Sequence, residues 1–355
     1  MARSRAAPIP LTVVVGPLGA GKTSLINRVL LHPGFADSAV ILNEFGATRL
    51  DGGRVERAED GIVSLGSGCI CCTVRGALVD AFERILRGLD NGRLGAVSRM
   101  IVEANAAADP AAIVATVARH PYLSLRIRPD GIVAVVRGAG AAAALAASAA
   151  TARQVAAADV VAVSGTDAAG VDALRPLLAL NPAAAIVDGA TVPPVALVGH
   201  GRFDPATGEP EVRAVATDSA PPDFGRSGEA ARINAFTVVR QRPVPAVVLD
   251  LFLDYLAALQ GPNLIRVRGV VAVEEGSAVA VDGIGASFSP PVLCQPAPGQ
   301  ATQTRLAVVA RDLDAATFSG YLDAFMNEPR VDTPDRAALA DNPLAVTGFS
   351  ARAGR

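Results

Sequence analysis

Gly16-Pro17-Leu18-Gly19-Ala20-Gly21-Lys22-Thr23 is the stretch on which the fold turns. An apolar run, Leu11 to Val15, precedes it and reads as a buried strand. Ser24 to Leu31 follows, with Leu25, Ile26, Val29 and Leu30 at helical spacing. Strand, glycine loop and helix form the setting in which backbone N–H groups turn around an anion and the positive end of a helix faces it. Gly16, Gly19, Ala20, Gly21 and Ser24 are therefore candidates for a phosphate cradle. Lys22 would reach the β- and γ-phosphates, and the Thr23 hydroxyl would ligate Mg²⁺. The competing reading is a glycine-rich turn that matches by chance.

Composition bears on that choice. Lys and Arg together total 32, and Lys22 is the one lysine. A chain that uses arginine everywhere else keeps lysine where a compact ammonium fits between phosphates and a planar guanidinium does not. The net charge of −2 gives no global field for nucleic acid or a membrane surface. No apolar run is long enough to span a bilayer. Met1 to Pro10 carries Arg3 and Arg5 without an apolar stretch of the signal-peptide kind, so a cytoplasmic protein is expected.

Length predicts two domains: residues 8–198, a linker at 199–231, a second domain at 232–330 and a tail at 331–355. In the first, apolar runs at Ala39–Leu42, Ile62–Leu65, Met100–Val102, Gly131–Val136, Val160–Val163 and Ala185–Val187 read as strands. Helical patterns lie between them at Thr73–Arg87, after Asp109-Pro110, over the Ala-rich Ala139–Ala158, and at Val171–Leu180. The alternation predicts a doubly wound, mostly parallel α/β sheet with helices on both faces. The second domain reads as a smaller α+β unit. Strands are expected at Ile233–Val239, Leu264–Val273, Ala278–Val281 and Thr304–Ala310, with helices at Pro245–Leu259 and Ala315–Met326. His200 reads as a linker residue and Cys294 as structural.

Two further stretches carry chemistry. Asn43-Glu44-Phe45-Gly46 ends the second strand, so Glu44 either lies near the phosphate crevice or is a solvated loop carboxylate. Gly68-Cys69-Ile70-Cys71-Cys72 crowds three of the chain's four cysteines into four residues. Cys69 and Cys71 do not bridge easily at that spacing, whereas a glycine-led loop can turn their sulfurs toward one borderline-soft ion, Zn²⁺ or Co²⁺. Buried small hydrophobes and a redox switch are the alternatives.

Together these residues resemble the CobW-like P-loop GTPases, a family of metallochaperones that includes activators of nitrile hydratase. The likeness runs from about Pro10 to the last helix of the second domain. It is carried by residues 16–23, by Asn43-Glu44-Phe45-Gly46 and by Gly68-Cys69-Ile70-Cys71-Cys72. Glu103, Ala108-Asp109-Pro110, Gln154 with Ala158-Asp159, and Leu264-Ile265-Arg266-Val267-Arg268-Gly269 add to it. The resemblance implies that Lys22 and Thr23 bind phosphate and Mg²⁺, and that Cys69, Cys71 and Cys72, with Glu44 close by, form the transition-metal loop. It also implies that GTP binding and hydrolysis switch delivery of the metal to a client metalloprotein. Lys22 and Glu103 are the catalytic candidates.

The sequence departs from the family's pattern in four places. The family's Glu-Thr-Ser-Gly switch reads Glu103-Ala104-Asn105-Ala106. Its guanine-reading Asn-Lys-x-Asp reads Ser164-Gly165-Thr166-Asp167, leaving Asp167 to meet the base. An Asp expected before the switch strand is Ser98, and a His-rich stretch is missing. The expectation is thus a slow GTP hydrolase that handles Zn²⁺ or Co²⁺. The alternative is a non-enzymatic nucleotide- and metal-binding adaptor.

Overall fold

A computed structural model of the chain describes residues 7–43, 62–65, 73–138, 145, 147–165, 180–181, 183–199, 232–274, 277–294 and 303–326. The first sheet is built from β1 (Ile9–Val15), β2 (Ser38–Asn43), β3 (Ile62–Leu65), β4 (Arg99–Glu103), β5 (Ile127–Arg137), β6 (Val160–Ser164) and β7 (Ala185–Asp188). Their order is β3-β2-β4-β1-β5-β6-β7, and every neighbouring pair is parallel. β1 is central, and the winding reverses beside it, which opens a crevice at its carboxyl end.

Helices α1 (Lys22–Leu30), α2 (Thr73–Asp90), α3 (Pro110–Ala118), α4 (Leu123–Arg126) and α5 (Ala149–Ala157) cover the sheet. The strands are apolar on both faces because both are covered. Leu11, Val13 and Val15 of β1 pack in one cluster with Phe82 of α2, Val117 of α3 and Val155 of α5. Val14, between them, packs with Leu25, Ile26 and Val29 of α1 on the opposite face.

The second sheet contains β8 (Ile233–Arg240), β9 (Leu264–Glu274), β10 (Ser277–Ile284), β11 (Ser287–Phe288), β12 (Val292–Cys294) and β13 (Thr304–Arg311). It runs β11-β10-β9-β13-β8, with β12 on β10, and all pairs are antiparallel. One face is covered by α6 (Ala246–Tyr255) and α7 (Ala315–Phe325). There Phe252 and Phe318 meet edge to face with centroids 5.7 Å apart. The other face sends Ile233, Ile265, Ile284 and Val309 into the buried cluster that holds α2, α3 and α5. The two halves therefore share one core.

The expected helix over Ala139–Ala158 is interrupted at Ser148: Leu145 and Ala147 before it are helical, Ser148 is extended (φ −128°, ψ 109°) with its Oγ accepting from Thr151 N, and α5 starts at Ala149. Residues 139–144 and Ala146 lie outside the described residues. Leu145 and Val155, expected on one face, are both buried in the first sheet's cluster. β5 starts earlier than the expected Gly131. Pro129 is accommodated by a register shift at the sheet's bulge, where Leu11 pairs with Pro129 and Thr12 with Gly131. The strand runs on to Arg137. Among the described residues no helix is long and apolar enough to cross a membrane. Residues 171–179 of an expected helix, 200–231 of the expected linker with His200, and the tail 331–355 lie outside the described residues.

Candidate functional site

The site begins where β1 ends. Gly16 has φ +144°, and a Cβ there would collide with the Val135 carbonyl of β5; the loop can leave the sheet here only with glycine. Gly21, in the left-handed region at φ 93°, is the N-cap of α1. No side chain caps this helix, and no acidic residue sits in its first turn. Its first N–H groups are left for an anion. The loop closes on itself through Ala20 N, which donates to Pro17 O at 3.3 Å. From across the sheet, Ser164 at the end of β6 donates its hydroxyl to Ala20 O at 2.6 Å.

Lys22 is 8% exposed. Its Nζ donates to Gly16 O at 2.9 Å and to Pro17 O at 3.1 Å, inside the loop. Burial pushes the Lys22 ammonium below its usual value, and the carboxylate of Glu103 opposes that shift. An ammonium so placed gains from an arriving polyphosphate.

Glu103 is set beside the loop by strand order. β4 is the neighbour of β1, with Val14 in register with Glu103, so the last residue of β4 stands next to the start of the loop. The Thr23 hydroxyl lies 2.9 and 3.0 Å from Glu103 Oε1 and Oε2. A hydroxyl and a carboxylate side by side at the foot of a phosphate loop are hard oxygen donors of the kind Mg²⁺ takes.

Beyond Glu103 the chain turns tightly. Ala104 N donates to Val14 O at 2.8 Å, and Ala108 N donates to Asn105 O at 3.1 Å. Asn105 Oδ1 accepts from Ala107 N at 2.9 Å. Asp109 then caps α3, accepting from Ala111 N at 2.9 Å. Gln154 of α5, wholly buried, donates from Nε2 to Ala106 O at 3.2 Å and to Ala108 O at 2.8 Å.

Gly16, Gly19, Ala20, Gly21, Lys22, Thr23, Ser24 and Glu103 are thus gathered at one edge of the sheet. Glu44, Cys69, Cys71, Cys72 and Asp167 lie outside the described residues. Among the described residues no group of three His, Cys, Asp or Glu is placed to hold a metal. The strands that lead to Glu44 and to the thiol stretch are described: β2 ends at Asn43 in register with Leu65, the end of β3. Both end at the same edge as β4, where Leu42 pairs with Glu103.

Sequence reading found neither the bond from Ser164 to the loop nor the bonds from Gln154 to the turn after Glu103. Both residues stand in stretches that carried the resemblance or a departure from it, and that was the available signal.

Profiles of known families match the chain in two consecutive pieces. That of the CobW/HypB/UreG nucleotide-binding domain matches residues 10–187. The chain belongs to the CobW/HypB/UreG family. The profile of the cobalamin synthesis protein CobW C-terminal domain matches residues 233–326, the second sheet and its helices. Among CobW/HypB/UreG relatives, zinc chaperone YjiA of Escherichia coli (strain K12) is 34% identical over 198 residues. That match covers 56% of this chain and 59% of YjiA, less than two thirds of the relative's length. Zinc chaperone CobW of Pseudomonas aeruginosa is 25% identical over 356 residues, 89% of this chain and 91% of that one. The crystal structure of Zn(II)-bound YjiA GTPase from E. coli aligns with a TM-score of 0.64 at 20% identity, over 90% of this chain and 99% of that chain. At that identity the likeness speaks for the fold alone.

Proposed function

We propose that this protein is a GTP-binding, GTP-hydrolysing metallochaperone that holds Zn²⁺ or Co²⁺ and passes it to a client metalloprotein. The observation that carries the reading is the convergence of Lys22, Thr23 and Glu103 at the uncapped N-terminus of α1. In this reading Gly16, Gly19, Ala20, Gly21 and Ser24 line the phosphates through their backbone, and Lys22 leaves the carbonyls of Gly16 and Pro17 for the β- and γ-phosphate oxygens. Thr23 and Glu103 hold Mg²⁺, which when bound neutralises charge on the β- and γ-oxygens. Water attacks the γ-phosphorus, the bond to the bridging oxygen breaks, and GDP and inorganic phosphate leave. Lys22 stabilises the charge that develops on those oxygens.

Cys69, Cys71 and Cys72, with Glu44, are the proposed metal loop. Support comes from topology: the strands leading to both stretches end at the edge occupied by Glu103. The zinc-chaperone names of the relatives add to it. Asp167 is the proposed guanine reader. Ser164, whose hydroxyl is taken up by Ala20 O, serves the loop and not the base. Guanine preference is then weaker than with a full reading motif.

The test is a Co²⁺ titration followed by the thiolate-to-metal absorption band, with Mg²⁺ and a non-hydrolysable GTP analogue, with Mg²⁺-GDP, and with neither. The analogue is expected to tighten metal binding by about 1–3 kcal/mol, and metal tightens analogue binding by the same factor. Cys69→Ser and Cys71→Ser remove the band. Absence of a band in the unaltered protein overturns the metal reading. Equal affinity in all three nucleotide states overturns the coupling. Binding and coupling without turnover moves the assignment to the nucleotide- and metal-binding adaptor.

A further inference from the structure

The turn between Glu103 and α3 is held from outside by one buried side chain. We propose that Gln154 is a positioning residue for nucleotide hydrolysis, fixing the turn so that the Ala106 N–H faces the γ-phosphate. The inference rests on the GTP-hydrolysis reading above.

Peptide geometry carries the first step. Asn105 O is taken by Ala108 N, and in a trans peptide the N–H of Ala106 points the opposite way from that carbonyl. Ala107 N is taken by Asn105 Oδ1. The carbonyls of Ala106 and Ala108 are both drawn toward α5 by Gln154 Nε2. With these groups committed, Ala106 N–H has no partner among the described residues, as is also true of the Asn105 and Asp109 N–H groups at the two ends of the turn. It lies three residues past Glu103, whose carboxylate meets Thr23 in the phosphate loop.

The amide of Gln154 can lie only one way round. Two carbonyl oxygens accept and cannot donate, so Nε2 must face them and Oε1 must face away. Gln154 is 0% exposed, and Oε1 has no hydrogen-bond partner. Leucine or methionine would fill the same space without burying an unpaired acceptor. The donor pair to the turn is what glutamine supplies and those residues do not.

Gln154 is itself held. Its helix, α5, leads through Ala158 to Asp159, whose Oδ2 accepts from Ile132 N at 2.8 Å. Asp159 Oδ1 accepts from Arg266 at 3.0 Å and also pairs with Arg268, both on β9 of the second sheet. Arg153 and Ala157 of α5 line a cavity of about 220 Å³ with Gly261, Ile265 and Gly285 of the second domain. The second domain thereby sets where α5 sits, α5 sets Gln154, and Gln154 sets the turn.

The experiment uses the full chain with Gln154→Met, which keeps side-chain length and removes the donor. Single-turnover GTP hydrolysis is measured beside affinities for a GTP analogue and for GDP. Hydrolysis is expected to fall about tenfold or more, the scale of a misplaced catalytic contact, with GDP affinity held within about threefold. A variant that hydrolyses GTP at the unaltered rate overturns the proposal. So does one whose rate, analogue affinity and GDP affinity fall together with its melting temperature, since that is a packing defect.

If Gln154→Met does not fold, amide exchange on the unaltered protein decides. Residues 104–108 should gain protection with the GTP analogue that GDP does not give, and equal protection overturns the inference. An unaltered protein that binds neither nucleotide overturns this inference and the function above together. Normal turnover with an indifferent Gln154→Met overturns this one alone.

Discussion

Lys22 illustrates how much one side chain decides. It is buried with its Nζ on two loop carbonyls, a position that costs desolvation without nucleotide. Lys22→Ala is expected to lower Mg²⁺-GTP affinity by on the order of a hundredfold or more, the scale of losing charge-assisted bonds. It should leave the melting temperature of the nucleotide-free protein unlowered. Lys22→Arg should fail nearly as badly, because the fork does not fit the loop. Fluorescent-nucleotide titration and thermal melts check both. Unchanged affinity in both variants removes the phosphate-loop reading. At Ala106 the side chain is the obstacle: a Cβ occupies space where the backbone would approach a phosphate. Ala106→Gly is expected to raise the basal hydrolysis rate several-fold, roughly 1 kcal/mol of barrier. A fast unaltered enzyme that gains nothing from the change would show that this Cβ does not obstruct.

Helix ends govern the next scale. α1 begins bare, capped only by the left-handed Gly21, while α3 and α5 begin with side-chain caps from Asp109 and Ser148. Of these three, the uncapped helix is the one aimed at the proposed ligand, and the two capped ones have their first turns satisfied from within. Ser148→Ala removes the acceptor for Thr151 N and should cost about 1 kcal/mol. A chemical denaturation curve should show that loss as a lower midpoint with an unchanged slope. An unshifted midpoint would mean that the cap contributes nothing and that packing of Val155 alone sets the start of α5. An Ala-rich stretch favours helix along its whole length by propensity, so the sequence alone suggested one unbroken helix. The extended conformation of Ser148 interrupts it, between helical Ala147 and the start of α5 at Ala149.

At the scale of the whole molecule, a buried charge group clamps the two domains. Burial alone pushes the Asp159 carboxyl up. The guanidiniums of Arg266 and Arg268, with the N–H of Ile132, outweigh it and hold the carboxyl below its usual range. Asp282 completes the group, 3.0 Å from Arg266. Asp159→Asn leaves two buried guanidiniums undercompensated and should destabilise the protein at neutral pH by about 3–5 kcal/mol. The sign of the pH dependence follows from the depressed pKa. The Asp159 contribution is fully present above the ordinary value of 3.8 and is lost as pH falls through the lower folded value. The stability gap between the unaltered protein and Asp159→Asn should therefore be constant from neutral pH down to that region and narrow below it. Denaturation midpoints across an acid series test this, and a gap that widens on acidification would contradict the assignment.

The sequence by itself determined the local structure around the phosphate loop. Glycine spacing, the single lysine and the apolar runs of β1, β2, β4 and β6 depend on neighbours a few residues away, and periodicity records such neighbours. It also named Lys22, Thr23 and Glu103 before their contacts were visible. Only the tertiary structure decided what those residues meet. Thr23 and Glu103 are 80 residues apart and touch because β4 lies beside β1. Gln154 reaches a turn 46 to 48 residues earlier, and Arg266 reaches Asp159 across 107. Pro129 within β5 reads locally as an interruption, and the bulge that admits it exists only once β1 is paired alongside. Partners at such separations are chosen by strand order and by burial in a shared core, neither of which leaves a periodic mark in the chain.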